Sequence, residues 1–291
     1  MRKPDSPPRR FAIVYHPQLS QAAEEAQAVS HYLYKLGVTS QQCASLYDEN
    51  LRQQVRGGSF DVLVALGGDG TMLRAGRLCA PFGLPVLGIN IGRFGFLIEI
   101  QRNQWRSVLT SLLEGNYWLE DRMMLSVSHW RGKTCLETWE ALNDVVVCRG
   151  QFVRPIQINA RVDGIPLAGY NADGVIVSTA TGSTAYAMAA SGPVMPPELR
   201  NLLIIPVAPH LSMDRAIILA EGACVTLSVN TSHEAVLSVD GQSPVTMLAE
   251  DEVHAGASEH SASFIRFQDP GYFYRNLTKY MERNPIIGED M

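Results

Sequence analysis

A chain of 291 residues, 46% hydrophobic and 18% charged, can bury a substantial core and is long enough for two domains. Its formal net charge of -5 offers no electrostatic footprint for nucleic acid or an anionic membrane surface, and no apolar run approaches the ~20 residues of a membrane span. The start Met1-Arg2-Lys3-Pro4 lacks the apolar segment of a signal peptide, so a soluble cytoplasmic protein is expected.

In chain order, residues 1–10 are charged and proline-rich and read as a mobile lead-in. Phe11 to Tyr15 reads as a strand. Ser20 is a plausible N-cap for a helix through Leu36, with Ala22, Ala26, Val29, Leu33 and Leu36 as its apolar positions and Gly37 as its stop. A weak strand near Val38 to Ser45 and a short polar helix across Asp48 to Arg56 follow. The unbroken apolar run Val62-Leu63-Val64-Ala65-Leu66 is then a strand buried on both faces. It ends in Gly67-Gly68-Asp69-Gly70-Thr71, and Met72 to Leu78 continues as helix. Three glycines around one carboxylate let the backbone turn sharply and let a ligand approach main-chain N–H groups, which suits phosphates. A dinucleotide fingerprint fails because Leu73 stands where its third glycine belongs, and a P-loop fails for want of a following Lys-Ser/Thr. An ordinary tight turn after a strand is the other reading. Pro85 to Ile89 is a further short strand, running into a second glycine-rich turn, Asn90-Ile91-Gly92-Arg93-Phe94-Gly95-Phe96. Alternating strands and helices predict an α/β domain with a parallel sheet, both turns lying at its carboxyl edge.

After an amphipathic helix from Asn103 to Glu114, closed by Gly115, the pattern changes. Short β-rich runs follow: Met123 to Trp130, Cys135 to Glu140, Val145 to Cys148, Ile156 to Val162, Val175 to Ser178, Cys224 to Val229, Ala235 to Val239 and Val245 to Leu248. Asp163-Gly164 and Asp240-Gly241 read as hairpin turns between them. The expectation is an α/β domain over residues 1–117, completed by 261–291, and an all-β, sandwich-like domain over 118–260. The segment Tyr272 to Met281 reads as a helix that packs back on the first domain. The cysteines Cys43, Cys79, Cys135, Cys148 and Cys224 are odd in number and widely spaced, which argues for core thiols and against a disulfide framework or a zinc site. The four lysines, Lys3, Lys35, Lys133 and Lys279, lie beside none of these motifs, so positive charge for phosphate must come from arginine or a metal ion.

One more stretch carries chemistry. Asp173-Gly174 leads through the strand Val175-Ile176-Val177 into Ser178-Thr179-Ala180-Thr181-Gly182-Ser183-Thr184-Ala185-Tyr186, where hydroxyls and N–H groups could bind ribose, amide or phosphate oxygens or could simply cap a helix. A strand ending in Gly-Gly-Asp-Gly-Thr resembles the signature shared by NAD kinases, diacylglycerol and sphingosine kinases and phosphofructokinases. Together with the Thr-Gly-Ser-Thr-Ala-Tyr segment it resembles the NAD kinase family, of the bacterial ATP-NAD kinase type. Asn143-Asp144 before Val145, Pro209-His210-Leu211-Ser212, and Asp240-Gly241-Gln242 match the same family in order and spacing, so the resemblance spans Phe11 to about Tyr280.

That resemblance implies an ATP-dependent kinase that phosphorylates the adenosine ribose 2′-hydroxyl of NAD to give NADP, with Mg²⁺ as divalent cation and a homodimer or homotetramer as its assembly. Asp69 would be the proton acceptor at the reaction centre beside Gly70, with Arg74 reaching toward the nucleotide. Asn143 and Asp144 would bind the adenine and ribose side, and Asp173 the nicotinamide end. Thr184, Ala185 and Tyr186 would line the pocket with Met188 and Ala189 behind them, and Arg154 and Gln242 align with less uniform binding positions. No residue is assigned as a metal ligand. Asn143-Asp144 could instead be a simple Asx turn, Arg154 a solvated surface arginine, and His210 is expected to be structural. Four positions depart from the family pattern: Asp144 replaces its usual Glu, Ala180 a Pro, Ser191 a Gly, and Asn171 an arginine carried by some members. A lipid kinase of the diacylglycerol or sphingosine class, or an NAD(P)-binding regulatory protein that has lost turnover, are the competing functions.

Overall fold

A computed structural model describes residues 2–3, 6–92, 95–151, 154–230 and 234–282. The chain divides into two compact units, residues 1–121 with 262–291, and residues 122–261. The first contains β1 (Arg10–Tyr15), α1 (Ser20–Lys35), β2 (Ser40–Ser45), α2 (Glu49–Arg56), β3 (Val62–Gly67), α3 (Asp69–Cys79), β4 (Val86–Asn90), β5 (Ile100–Gln101) and α4 (Trp105–Leu113). The strands lie in the order β2, β1, β3, β4, β5 and all pair in parallel. β3 is buried along its whole length, for a physical reason visible in its neighbours. Val62, Val64 and Leu66 pack with Ala26, Val29 and Leu33 of α1 and with Trp105, Leu109 and Leu112 of α4, while the alternate residues face the opposite side of the sheet. The chain runs outward from β1 to β2, then crosses back to β3 and on to β4. The strand order therefore reverses between β1 and β3, and their carboxyl ends flank the crevice where ligands of open α/β sheets bind.

Three local expectations are corrected. Ser20 is the first residue of α1, not its cap; Leu19 holds the N-cap position without a side-chain bond. The face of α1 also includes Glu25, which is buried because Trp105 Nε1 and Arg102 Nε donate to its carboxylate at 2.7 and 2.5 Å, whereas Leu36 lies past the last turn and is exposed. The lead-in is not loose where it is described: Arg2 pairs with Leu119 through the backbone and with Asp121 and Ser263 through its side chain, and the N–H groups of Arg9 and Arg10 donate to Asp61. Met1, Pro4 and Asp5 lie outside the described residues.

The second unit is built from β6 (Trp118–Arg131), β7 (Thr134–Ala141), β8 (Asp144–Arg149), β9 (Ile156–Val162), β10 (Ile165–Ala172), β11 (Gly174–Ser178), the one-turn α5 (Tyr186–Ala189), β12 (Leu202–Val207), β13 (Ile217–Leu219), β14 (Val225–Val229), β15 (Ala235–Val239), β16 (Val245–Met247) and β17 (Glu252–Arg266). The chain crosses from one unit to the other within β6 and again within β17. One sheet runs β7, β6, β17, β14, β9, β10 and the other β13, β12, β11, β8, β15, β16. Their facing residues, among them Val145, Val147, Val175 and Val177 from one sheet and Ile158, Ala160, Val225 and Leu227 from the other, form a single core, which makes this unit a sandwich. Asp163 and Gly164 both take positive φ, as a tight turn between β9 and β10 requires. Asp240 and Gly241 do the same, but the β15–β16 ladder begins only at Leu237 and Val245, so that turn sits at the tip of a wider loop. The closing helix α6 (Tyr272–Glu282) belongs to the first unit. The cysteines are not all core thiols: Cys79 is buried, Cys43 and Cys148 are half-buried, and Cys135 and Cys224 are exposed; all five are free thiols.

Candidate functional site

In the first unit the Gly-Gly-Asp-Gly-Thr turn is tighter than the sequence suggests, because the helix begins inside it. Gly68 is the extended N-cap of α3 and Asp69 its first residue. The carboxylate of Asp69 therefore stands at a helix N-terminus, where the helix dipole favours negative charge. It is gripped from the second glycine-rich turn: Phe96 N–H donates to Oδ2 at 2.7 Å and Leu97 N–H to Oδ1 at 3.1 Å. This close approach depends on Gly95, since a Cβ there would lie 2.3 Å from the carboxylate. Arg93 and Phe94 of the same turn fall outside the described residues. Gly70 is exposed, and Arg74, one turn on, donates from Nη1 to the Gly70 carbonyl at 2.9 Å, so its guanidinium is folded back over the start of its own helix. Beside Asn90 and Gly92 a cavity of about 670 Å³ opens, rimmed by Arg102 and Arg106. Arg102 is paired there with Glu25, which lines the same cavity, so Arg106 is the arginine that adds positive charge at this edge.

In the second unit Asn143, Asp144 and the Asp240–Gln242 turn meet at one end of the six-stranded sheet, while Asp173 lies at the other, next to the Gly174–Cys148 pair. Asp144 opens β8 and is paired with Ser178 at the end of β11; Val145 beside it pairs with Val239, the last residue of β15. Asp240 follows directly and its buried carboxylate accepts three backbone N–H groups, from Leu142 and Asn143 at 2.8 Å and from Asp144 at 3.1 Å. Asp144 itself is buried, and its carboxyl is pushed up to about 7, first by that burial and then by the negative charge of Asp240. Asn143-Asp144 is thus more than a self-contained Asx turn: it is pinned from a different strand.

The hydroxyl-rich loop decides between its two readings. Ser178, Thr179, Thr181 and Ser183 are buried, and their oxygens are spent inside the protein. Thr179 Oγ1 donates to the Leu142 carbonyl at 2.6 Å and accepts from Gly182 N–H, Ser178 Oγ donates to the Asn143 carbonyl, and Ser183 Oγ donates to the Ala180 carbonyl while accepting from Met195 N–H. A buried polar group left unpaired costs about 1–3 kcal/mol, so these hydroxyls go to the nearest backbone partners and build the loop instead of facing a ligand. Gly182 has no alternative, since a Cβ would meet the Asn143 carbonyl oxygen at 2.2 Å. What the loop presents outward is its end: Thr184, Ala185 and Met188 are half-buried, and Tyr186 and Ala189 exposed. The Ala180, Ala187 and Met195 side pack against Val146, Ile176, Leu203 and Ile205 on the outer face of the sheet. Tyr186 has its hydroxyl pKa raised, chiefly by burial and further by Cys148 and Asp173.

Asp173 is paired with Arg149, Nε to Oδ1 at 3.1 Å, and Arg149 N–H donates to its carbonyl. Gln242 is exposed and closes the Asp240-Gly241 turn through Val239. Arg154 is exposed, as is His210, whose N–H donates to the Asn171 carbonyl. Ser191 takes φ 64° immediately beyond α5, the left-handed position that a glycine usually fills, and Gly192 N–H caps the Ala187 carbonyl. The structure therefore brings Asp69, Gly70 and Arg74 together on one helix end, and Asn143, Asp144 and the Asp240–Gln242 turn together on one sheet end, whereas Asp173 stands at the opposite end of that sheet and α5 packs through Ala187 on its outer face. Sequence reasoning missed Arg149, the carboxylate of Asp240 and the N–H groups of Phe96 and Leu97. Asp240 was visible only as a turn former, and backbone donors carry no residue signature.

Comparison with known proteins bears on this arrangement. Family models described as the ATP-NAD kinase N-terminal domain and the ATP-NAD kinase C-terminal domain match residues 14–117 and 142–267. An NAD kinase of Chloroflexus aurantiacus is 35% identical over 276 residues, covering 94% of this chain and 99% of the relative. Among solved structures, an NAD kinase from Archaeoglobus fulgidus in complex with ATP superposes with a TM-score of 0.75 at 27% identity, over 94% of this chain and 98% of that one. Yeast NADH kinase complexed with NADH gives 0.81 at 20% identity, over 96% and 89%, a likeness of fold. With both domain models matched in order and relatives aligned nearly end to end, the chain belongs to the NAD kinase family.

Proposed function

We propose that this protein is an ATP-dependent NAD kinase, transferring the terminal phosphoryl group of ATP to the adenosine ribose 2′-hydroxyl of NAD to give NADP. The observation that carries the reading is the Asp69 carboxylate, set at the start of α3 and oriented by two backbone N–H groups. Phosphoryl transfer asks the protein mainly for positioned phosphates and an aligned hydroxyl, since charge spreads over the transferring group in a loose transition state. Asp69 supplies the acceptor for that hydroxyl, its carboxylate being an acceptor-only group with two oxygens. It accepts the ribose proton late in the transfer and holds the hydroxyl in line. The helix N-terminus and Arg74 lie on the phosphate side. Asn143 and Asp144 take the adenine and ribose side, Asp173 the nicotinamide end, with Thr184, Ala185, Tyr186, Met188, Ala189, Arg154 and Gln242 as further nucleotide contacts. The β-rich domain is the NAD-binding one.

Among the described residues no three His, Cys, Asp or Glu side chains come together as a metal cage. Mg²⁺ would arrive with ATP, held chiefly by phosphate oxygens and water. When bound, the ion neutralises charge on the phosphates.

Among the described residues no helix is long and apolar enough to cross a membrane, and cytoplasmic residence is part of the proposal. So is a homodimer or homotetramer, which would protect the edge strands of the β domain; sedimentation giving a monomer at micromolar concentration removes it. The function is tested by incubating purified protein with ATP, Mg²⁺ and NAD under coupled detection of NADP. Formation of NADP supports the reading. Phosphorylation of an acylglycerol or sphingoid base without NADP assigns the lipid kinase instead, and binding of NAD without turnover assigns the regulatory protein.

A further inference from the structure

The turn that grips Asp69 is itself held from behind. Leu97 uses its N–H on the Asp69 carboxylate and its carbonyl on Arg266, whose Nη1 donates to it at 2.8 Å. Arg266, at the end of β17, is 1% exposed, and its guanidinium carbon lies over the rings of Phe264 and Tyr272, 5.5 and 4.8 Å from their centroids. Its Nε and Nη2 sit 2.9 and 2.8 Å from Glu120 Oε2, and the Tyr272 hydroxyl donates to the same carboxylate at 3.0 Å. Burial acts against the Arg266 charge, but Tyr272, Glu120 and Glu99 more than offset it and the guanidinium pKa is raised. Two residues further along the turn, buried Glu99 accepts from Phe267 N–H at 2.6 Å. Residues 97 and 99 are thus anchored to residues 266 and 267 from one side, while 96 and 97 hold Asp69 from the other.

Bonds on both the N–H and the C=O of Leu97 fix its φ and ψ, and with them the direction of the donors aimed at Asp69. A buried Arg–Glu pair contributes little net stability against an apolar pair of equal volume, because desolvation consumes most of the attraction. Bulk stability therefore does not account for an arginine here, whereas directional, multivalent hydrogen bonding does. We infer that Arg266, braced by Glu120 and Tyr272, is a positioning residue that sets the Asp69 carboxylate through the Phe96–Leu97 backbone. The inference rests on the reading of Asp69 given under Proposed function for its effect on rate, but not for its effect on geometry.

Two variants test it, each on the full chain. Arg266→Lys keeps the charge beside Glu120 but cannot reach both Glu120 and the Leu97 carbonyl. Tyr272→Phe removes only the brace on Glu120 and leaves the ion pair, so it decides the matter if Arg266→Lys does not fold. The first readout is the amide signals of Phe96 and Leu97 in ¹⁵N-labelled protein, assigned by their movement in Asp69→Asn. Both variants are expected to shift them toward the Asp69→Asn positions, Tyr272→Phe by less. The second readout is a kinetic split: kcat is expected to fall about tenfold in Arg266→Lys, with KM for NAD within about twofold, since a misplacement of a fraction of an ångström acts on the reacting geometry and not on binding. Unmoved Phe96 and Leu97 signals in a folded variant, with any activity loss explained by a lower Tm, overturn the inference. Moved signals with full kcat uphold the positioning of Asp69 and refute its catalytic role.

Discussion

Asp69→Asn is the substitution on which most depends, and the structure changes what it should do. An asparagine has nearly the shape of the carboxylate, but it carries one acceptor oxygen and one NH₂. Asp69 accepts two N–H groups on different oxygens, Phe96 on Oδ2 and Leu97 on Oδ1, so one of those donors would face another donor. Losing one hydrogen bond to a charged group and weakening the second costs about 2–4 kcal/mol, at about 1.5–3 kcal/mol for each such bond. The variant is therefore expected to unfold earlier in urea as well as to turn over more slowly. Loss of the acceptor charge should lower kcat by about two orders of magnitude or more while NAD still binds. The assay is coupled NADP formation at saturating ATP and Mg²⁺, run at a urea-free temperature where circular dichroism shows the variant folded. If the folded variant keeps kcat and instead loses affinity for NAD, Asp69 is a binding group and the proton leaves by another route, to water or to a phosphate oxygen.

Gly95→Ala leaves every catalytic side chain in place, yet its Cβ would lie 2.3 Å from the Asp69 carboxylate; relieving this moves one or the other by about 1 Å, so kcat should fall about a hundredfold, and a kcat within threefold of the parent would show that the carboxylate position is not critical. Asp144 is pushed up to about 7 from 3.8, so the stability it contributes is full below about pH 4 and is lost, by on the order of 4 kcal/mol, as pH rises through 7. The fall in Tm between pH 5 and pH 8 should accordingly be smaller in Asp144→Asn than in the parent, and equal slopes would mean that Asp144 is ionised without penalty. Ser191 holds φ 64° just past α5; Ser191→Gly should raise Tm by about 1–3 °C, since relief of the left-handed strain, about 1 kcal/mol, exceeds the added freedom of the unfolded chain only slightly. A lower Tm would show that the serine side chain makes a compensating contact.

The fold class was legible because its signals are local. Val62 to Leu66 announces a strand buried on both faces, Ala22, Ala26, Val29 and Leu33 repeat at helical spacing, and Asp163-Gly164 marks a turn by its chemistry; all three are where expected. The strand Glu252–Arg266 was not legible, since its inward positions are mostly small residues and its outward ones His, Glu and Ser, a pattern whose burial depends on the neighbouring strands and not on its own hydrophobicity. The same division runs through the site. Glycine, Asp69 and Asn143-Asp144 could be picked out from order and spacing, because a sharp backbone turn beside a carboxylate restricts residue type.

Which oxygens face a ligand and which are consumed by the protein was decided only by tertiary structure. Thr179 and Ser183 look like ligand groups in the sequence, but their hydroxyls close on carbonyls and amides that folding brings to them from residues 142, 182 and 195. Asp240 reads as a turn former until β15 lies beside β8, when its carboxylate meets three N–H groups nearly a hundred residues away in sequence. Arg266 and Leu97, 169 positions apart, have no pattern that links them at all. Residue type is restricted by local backbone geometry and so is written in the sequence, whereas hydrogen-bond partnership is a property of pairs, and most pairs here form only when distant strands are laid side by side.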